Sequence, residues 1–178
     1  MSKSQKTKKA LLQEARNQFW SRGYSNVSVR DISKAAGVDV ALISRYFGSK
    51  LGLFETTLKD LPLLNTNAIK SADQLIEQVA NLFTTATRDS NNATATSLIL
   101  RNASDPEVGE MVRELYKRTW YQSLEHILGS KAKASRFSAA VLGMHIVETS
   151  LNLDGMPSHQ SGEYKREVKA FLHASISD

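Results

Sequence analysis

The sequence predicts an all-α protein of about nine helices. A small three-helix module comes first, and an antiparallel helical bundle follows. Apolar residues recur at helical spacing along almost the whole chain, and no segment keeps the strict alternation of a strand. Only three prolines occur, Pro62, Pro106 and Pro157, and none interrupts a periodic segment. The charge is also divided. Residues 1–50 hold ten Lys or Arg against three acids, a net of +7, and the other 128 hold thirteen against fifteen, a net of −2, which together give the overall +5.

The 178 residues suit one compact domain or two small ones, and 41% hydrophobic residues suffice for a core. The absence of cysteine excludes disulfides and thiolate metal sites. The basic start lacks an apolar signal core, and no apolar run is long enough to span a bilayer. The expectation is a soluble, cytoplasmic protein whose basic end meets a polyanion. A solvated lysine tail, "KSQKTKK", would explain part of that charge. It leaves Arg16, Arg22, Arg30, Lys34, Arg45 and Lys50 to be explained.

Helix one is expected from about Thr7 to Arg22, with Leu11, Leu12, Ala15 and Phe19 on one face and Gly23 ending it. Helix two starts at Ser28, whose hydroxyl can cap, with Asp31 three residues on as a short capping box. Gly37 supplies the corner that follows, since glycine tolerates positive φ. Asp39 caps helix three, which runs to about Phe47, and "GSK" is a second turn with Ser49 as the cap of helix four, 50–61, stopped at Pro62. A fifth helix spans 71–87. The polar stretch "RDSNNATATS" leads into a sixth near 93–102. Asp105 and Pro106 open a long seventh that ends at Gly129. An eighth runs from about Ala132 to Leu153, "DGMPSHQSG" is a loop, and a ninth covers 163–175. The domains divide as 1–50 and 51–178.

Helix three poses the functional question. On a wheel of about 100° per residue, with Ile43 pointing inward, Val40 and Phe47 fall on the packed side. Ala41 and Arg45 point away, Leu42 and Ser44 flank them, and Tyr46 lies at the margin. A helix meant only for water carries Glu, Lys and Gln on its outer face. Small residues around one long cation suit close approach to a DNA groove. Two short helices joined by a glycine corner form a helix-turn-helix, whose second helix enters the major groove.

In order and spacing the chain has Phe19, Gly23, Tyr24, Ser28, Val29, Asp31, Ile32, Ala36, Gly37, Val38, Tyr46, Phe47, Ser49, Lys50, Leu53 and Phe54. On these residues, 9–54 resemble the DNA-binding region of the TetR family of bacterial transcription regulators. The stretch "LILRNASDPEVGEMVRELYKRTW" is similar, more weakly, to the carboxy-terminal domains of one subgroup. Three positions depart from the family pattern, which often has tyrosine at Ser44, histidine at Tyr46 and serine at Asp39. The departures leave the fold untouched and bear on the target sequence.

The resemblance implies a homodimeric repressor that leaves a palindromic operator when a small-molecule effector binds the body. It implies no cofactor and no metal. Arg45 becomes the main base reader, through its fork to guanine O6 and N7, and by resemblance Arg30 also reaches a base. Val40, Ala41, Leu42 and Ser44 make groove-wall contacts. Ser28, Tyr46 and Lys50 hold phosphates, Lys50 near a helix N-terminus that already favours them. Lys8 and Lys9 add salt-dependent affinity. Effector release is expected to work by shifting helix four, so that the two recognition helices no longer match successive grooves.

In the body, Phe83, Leu98, Met111, Leu115, Trp120 and Met144 are candidate pocket walls. Tyr116, His126, His145 and Glu148 are candidate polar anchors. Ala139 and Gly143, one turn apart, allow close helix approach, either within the subunit or between two copies. His145 and Glu148 have a spacing a metal site could use, but there is no second such pair, no phosphate-cradling loop and no nucleophile motif, so an enzyme is not expected. The rival reading is a DNA-bound structural or protein-partner adaptor without an effector. An exposed apolar patch over a filled core would favour it.

Overall fold

The computed structural model describes residues 2–59, 61, 68–85, 93–151, 153, 157–158 and 161–177. Among these there are helices and turns and no strand. The helices are α1 (Lys3–Arg22), α2 (Val29–Ala35), α3 (Ala41–Phe47), α4 (Lys50–Lys59), α5 (Ala72–Thr85), α6 (Ala95–Asn102), α7 (Gly109–Tyr116), α8 (Gln122–Leu128), α9 (Lys131–Ile146) and α10 (Gly162–Ile176). A π turn, Lys117–Tyr121, joins α7 to α8, and a second, Val147–Leu151, extends α9. Counting α7 and α8, which the π turn connects along the chain, as one segment gives nine helical segments among the described residues. The expected stop at Pro62, the end of helix five beyond Thr85, loop residues 88–92 and most of 154–160 lie outside those described.

The chain forms two compact units, one of residues 1–62 and 91–114, the other of residues 63–90 and 115–178. In the first, α1 packs against α2, α4 and α6. Its centre is an aromatic cluster. The Phe19 ring lies 5.5 Å from both Tyr24 and Phe54, and Tyr24 lies 5.2 Å from Phe54. Full burial of Phe19 and Phe54 contributes about 1.5–3 kcal/mol each. Beside the cluster, the buried Trp20 indole donates to Thr57 Oγ1 at 3.1 Å, so burial leaves its N–H satisfied.

Helix α1 begins at Lys3, four residues earlier than its apolar pattern suggests. Ser2 and Gln5 form a full capping box there, which draws the lysine-rich start into the helix. Ser28 and Asp31 form the same box on α2. Gly23, at φ 89°, turns the chain out of α1. A β-carbon there would stand 3.1 Å from the Arg101 carbonyl oxygen, so both the turn and the close approach of α6 require glycine.

In the second unit, α10 packs on α5 and α9, and α8 on α9. Leu75, Ile76, Phe137, Tyr164, Val168 and Leu172 are buried at its centre. The Tyr164 hydroxyl donates to Glu148, a buried carboxylate in the second π turn. Glu77 on α5 receives Lys165 and, at 2.7 Å, Lys169 from α10. These two ammonium groups hold its carboxyl down to about 2.

Candidate nucleic-acid interface

Helix α3 is anchored on one side and bare on the other. Ile43 is 2% exposed and sits in the core of the first unit, with Phe47 half-buried against it. Asp39 starts the helix by accepting the Ala41 N–H at 2.7 Å. Ala41, Ser44 and Arg45 are exposed. Among the described residues, neither Arg45 nor the exposed Arg30 makes an ion pair or a side-chain hydrogen bond. Both guanidinium forks thus keep all their donors available.

Two placements on α3 correct the wheel. Val40, expected to pack, is 39% exposed. It stands at the N-cap, at the very start of the helix. Leu42, expected to flank the outer face, is half-buried against the core. Any contact it makes with a groove uses only its exposed part.

The other candidates lie around α3. Ser28 is exposed, but its hydroxyl already serves α2, accepting the Asp31 N–H at 3.1 Å and donating to the Asp31 carboxylate at 2.7 Å. The Ser28 hydroxyl and backbone N–H, both donating to it, hold the Asp31 carboxyl below its usual range. The half-buried Tyr46 has its hydroxyl 3.1 Å from Ser4 Oγ. Lys8 Nζ lies 5.6 Å from the Phe47 ring centre. The first turns of α1, with Lys3, Lys6, Lys8 and Lys9, therefore lie beside the aromatic end of α3. The stretch "KSQKTKK", expected as a solvated tail, is instead helical, and Ser4 within it is the partner of Tyr46. Ser2 three residues before Gln5 was the signal available. Lys50 opens α4 with its ammonium 4.0 Å from the Tyr24 ring centre.

The pocket candidates fall into two groups. Leu98 is buried in the core of the first unit, and Met111 packs against that same core. Phe83, Trp120 and Met144 come together in the core of the second. Leu115, Tyr116 and His145 are half-buried there, and burial raises the Tyr116 phenol. Glu148 is engaged by Tyr164. Among the described residues, no group of three or more His, Cys, Asp or Glu could hold a metal ion. No helix among them is long and apolar enough to cross a membrane.

Residues 11–57 match the family model described as bacterial regulatory proteins, tetR family. Curated protein sequences give no match. Among solved structures, the chain is similar to HlyIIR, a hemolysin II transcriptional regulator, at 18% identity over 98% of this chain and 99% of that one, with a TM-score of 0.65. A HlyIIR variant carrying a substituted linker matches at 22% identity over 97% and 96%, again at 0.65. NalD of Pseudomonas aeruginosa, the secondary repressor of the MexAB-OprM multidrug efflux pump, matches at 18% identity over 97% and 96%, at 0.66. At these identities the likeness is one of fold. The matching family is described as one of regulatory proteins, HlyIIR as a transcriptional regulator and NalD as a repressor.

Proposed function

We infer, from the match of residues 11–57 to the family model described as bacterial regulatory proteins, tetR family, that this chain is a cytoplasmic, sequence-specific DNA-binding regulator of that family. It acts as a homodimer, and as a repressor that a small-molecule effector releases from a palindromic operator. The observation that carries the reading is Arg45, exposed and without an intramolecular partner among the described residues, on a helix whose other side is fixed through Ile43. A guanidinium so presented can pair with guanine in the major groove. Arg30 is a second reader. Ala41, Ser44, Val40 and the exposed part of Leu42 contact the groove wall. Tyr46 and Lys50 hold phosphates, Ser28 does so only by turning its hydroxyl proton away from Asp31, and the lysines of α1 add a sequence-independent term.

Dimerisation is supported on α9. Ala139, Gly143 and Ile146 are exposed on one face, and a β-carbon at Gly143 would meet nothing within 4 Å. Packing inside the subunit therefore does not account for the small residues there, whereas a second copy approaching closely does. Two recognition helices then read half-sites about one turn apart. For the effector, the apolar cluster of Phe83, Trp120 and Met144 is the favoured region. It belongs to the unit that contains both π turns, a distortion frequent at functional sites. Effector binding alters the spacing of the two recognition helices.

Selection of duplexes from random DNA by the purified protein, at two salt concentrations, tests this reading. A palindromic consensus that persists at the higher salt is expected. Recovery of unrelated sequences, with binding lost uniformly as salt rises, would favour an architectural protein instead.

A further inference from the structure

We propose that Tyr24 is a positioning residue for the phosphate contact assigned to Lys50, and that Glu107 holds Tyr24 in that role. The proposal rests on the DNA-binding reading and deepens it. Lys50 stands at the N-terminus of α4, where the helix dipole disfavours a cation. Its stem is long and flexible, so an unheld ammonium would lose much rotamer freedom on docking to a phosphate. The ammonium is held, 4.0 Å from the centre of the Tyr24 ring. An ammonium on an aromatic face keeps donors free for an oxyanion on its other side.

The ring is fixed from every direction that matters. Tyr24 is buried against Phe19 and Phe54, and its hydroxyl donates to Glu107 Oε1 at 2.7 Å. A carboxylate acceptor makes that bond charge-assisted and adds electron density to the phenol, which strengthens its hold on a cation. Burial and the Glu107 bond both push the phenol's pKa up, so it stays a donor at any physiological pH. The same short segment grips the neighbouring backbone. Asn102 accepts the Tyr24 N–H at 2.7 Å, and Asp105 accepts the Ser25 N–H at 3.2 Å and hydroxyl at 2.6 Å. Residues 102–107 thus reach the DNA contact through one ring.

Anisotropy titrations of the selected duplex across a range of salt test the proposal. Lys50→Ala should weaken binding and reduce the salt slope by about 0.9. In a Tyr24→Leu background the same change should add little. Glu107→Ala, at an exposed position, should weaken binding about two- to fivefold and move the Lys50 side-chain protons away from their ring-current-shifted NMR positions. Tyr24→Phe keeps the ring, loses the Glu107 bond and should match Glu107→Ala, with no further loss when the two are combined. If Tyr24→Leu fails to fold, that pair and the NMR shift carry the test. Equal effects of Lys50→Ala in both backgrounds, or a Glu107→Ala protein indistinguishable from wild type, would overturn the proposal while leaving DNA binding intact. A wild-type protein that selects no duplex would remove the DNA-binding reading, and this proposal with it.

Discussion

The side-chain oxygen of Asn102 accepts the backbone N–H of Tyr24 at 2.7 Å, a buried hydrogen bond across 78 residues of chain. The same amide donates to the Phe19 and Leu98 carbonyls at 3.1 and 2.9 Å. Asn102 therefore closes the corner where α1 ends and ties it to α6, whose Leu98 is buried in the same core. Asn102→Leu fills a similar volume but leaves the Tyr24 N–H unpaired in the core. Stability should fall by about 1–3 kcal/mol, read as a lower urea midpoint at unchanged slope.

Two glycines with positive φ should respond differently to alanine. At Gly37, φ is 67° and an added β-carbon meets nothing within 4 Å. Gly37→Ala should cost about 1–2 kcal/mol, the strain of a left-handed residue alone. At Gly23 the strain is joined by a 3.1 Å approach to the Arg101 carbonyl oxygen. Gly23→Ala should be the more destabilising of the two in parallel denaturant titrations.

Gly143→Arg separates folding from assembly. The position opens onto space in the single chain, and arginine favours a helix more than glycine by roughly 0.5–1 kcal/mol. Wild type is expected to sediment as a dimer, and the variant should keep its helical circular dichroism and sediment as a monomer. A variant that still dimerises would place the interface elsewhere.

Acid should disengage the α5–α10 ion pairs. The Glu77 carboxyl is lowered from 4.5 to about 2 in the folded chain by Lys165 and Lys169. A depressed folded pKa means that the stabilisation is complete above the unfolded value and is lost as pH falls through the folded one. The melting temperature of wild type should exceed that of Glu77→Gln at pH 7. The gap should narrow between pH 4.5 and about 2, and shrink with added salt, as exposed pairs do.

Helix type and most caps were legible because they depend on near neighbours: Ser28 with Asp31, Asp39 with Ala41, Ile43 with Phe47. The start of α1 was hidden because apolar periodicity begins only at Ala10 and Leu11, while the helix is set by the Ser2–Gln5 cap. The π turns were invisible because one extra residue per turn leaves no compositional mark in "KRTWY" or "VETSL". Leu98 and Met111 read as walls of the body, yet both belong to the core formed by α1. Periodicity gives the buried face of a helix but not its partner. For the same reason, nothing in the linear pattern linked Glu107 to Tyr24 or Tyr24 to Lys50.

The most direct test of the central claim is the base preference of Arg45→Ala. It is measured by repeating the duplex selection with the variant and comparing the two consensus sequences position by position. A base reader predicts that discrimination, worth about 1–3 kcal/mol, is lost at one position in each half-site while every other position keeps its preference. An unchanged consensus, or an equal loss at all positions, would contradict the assignment of α3 as the recognition helix.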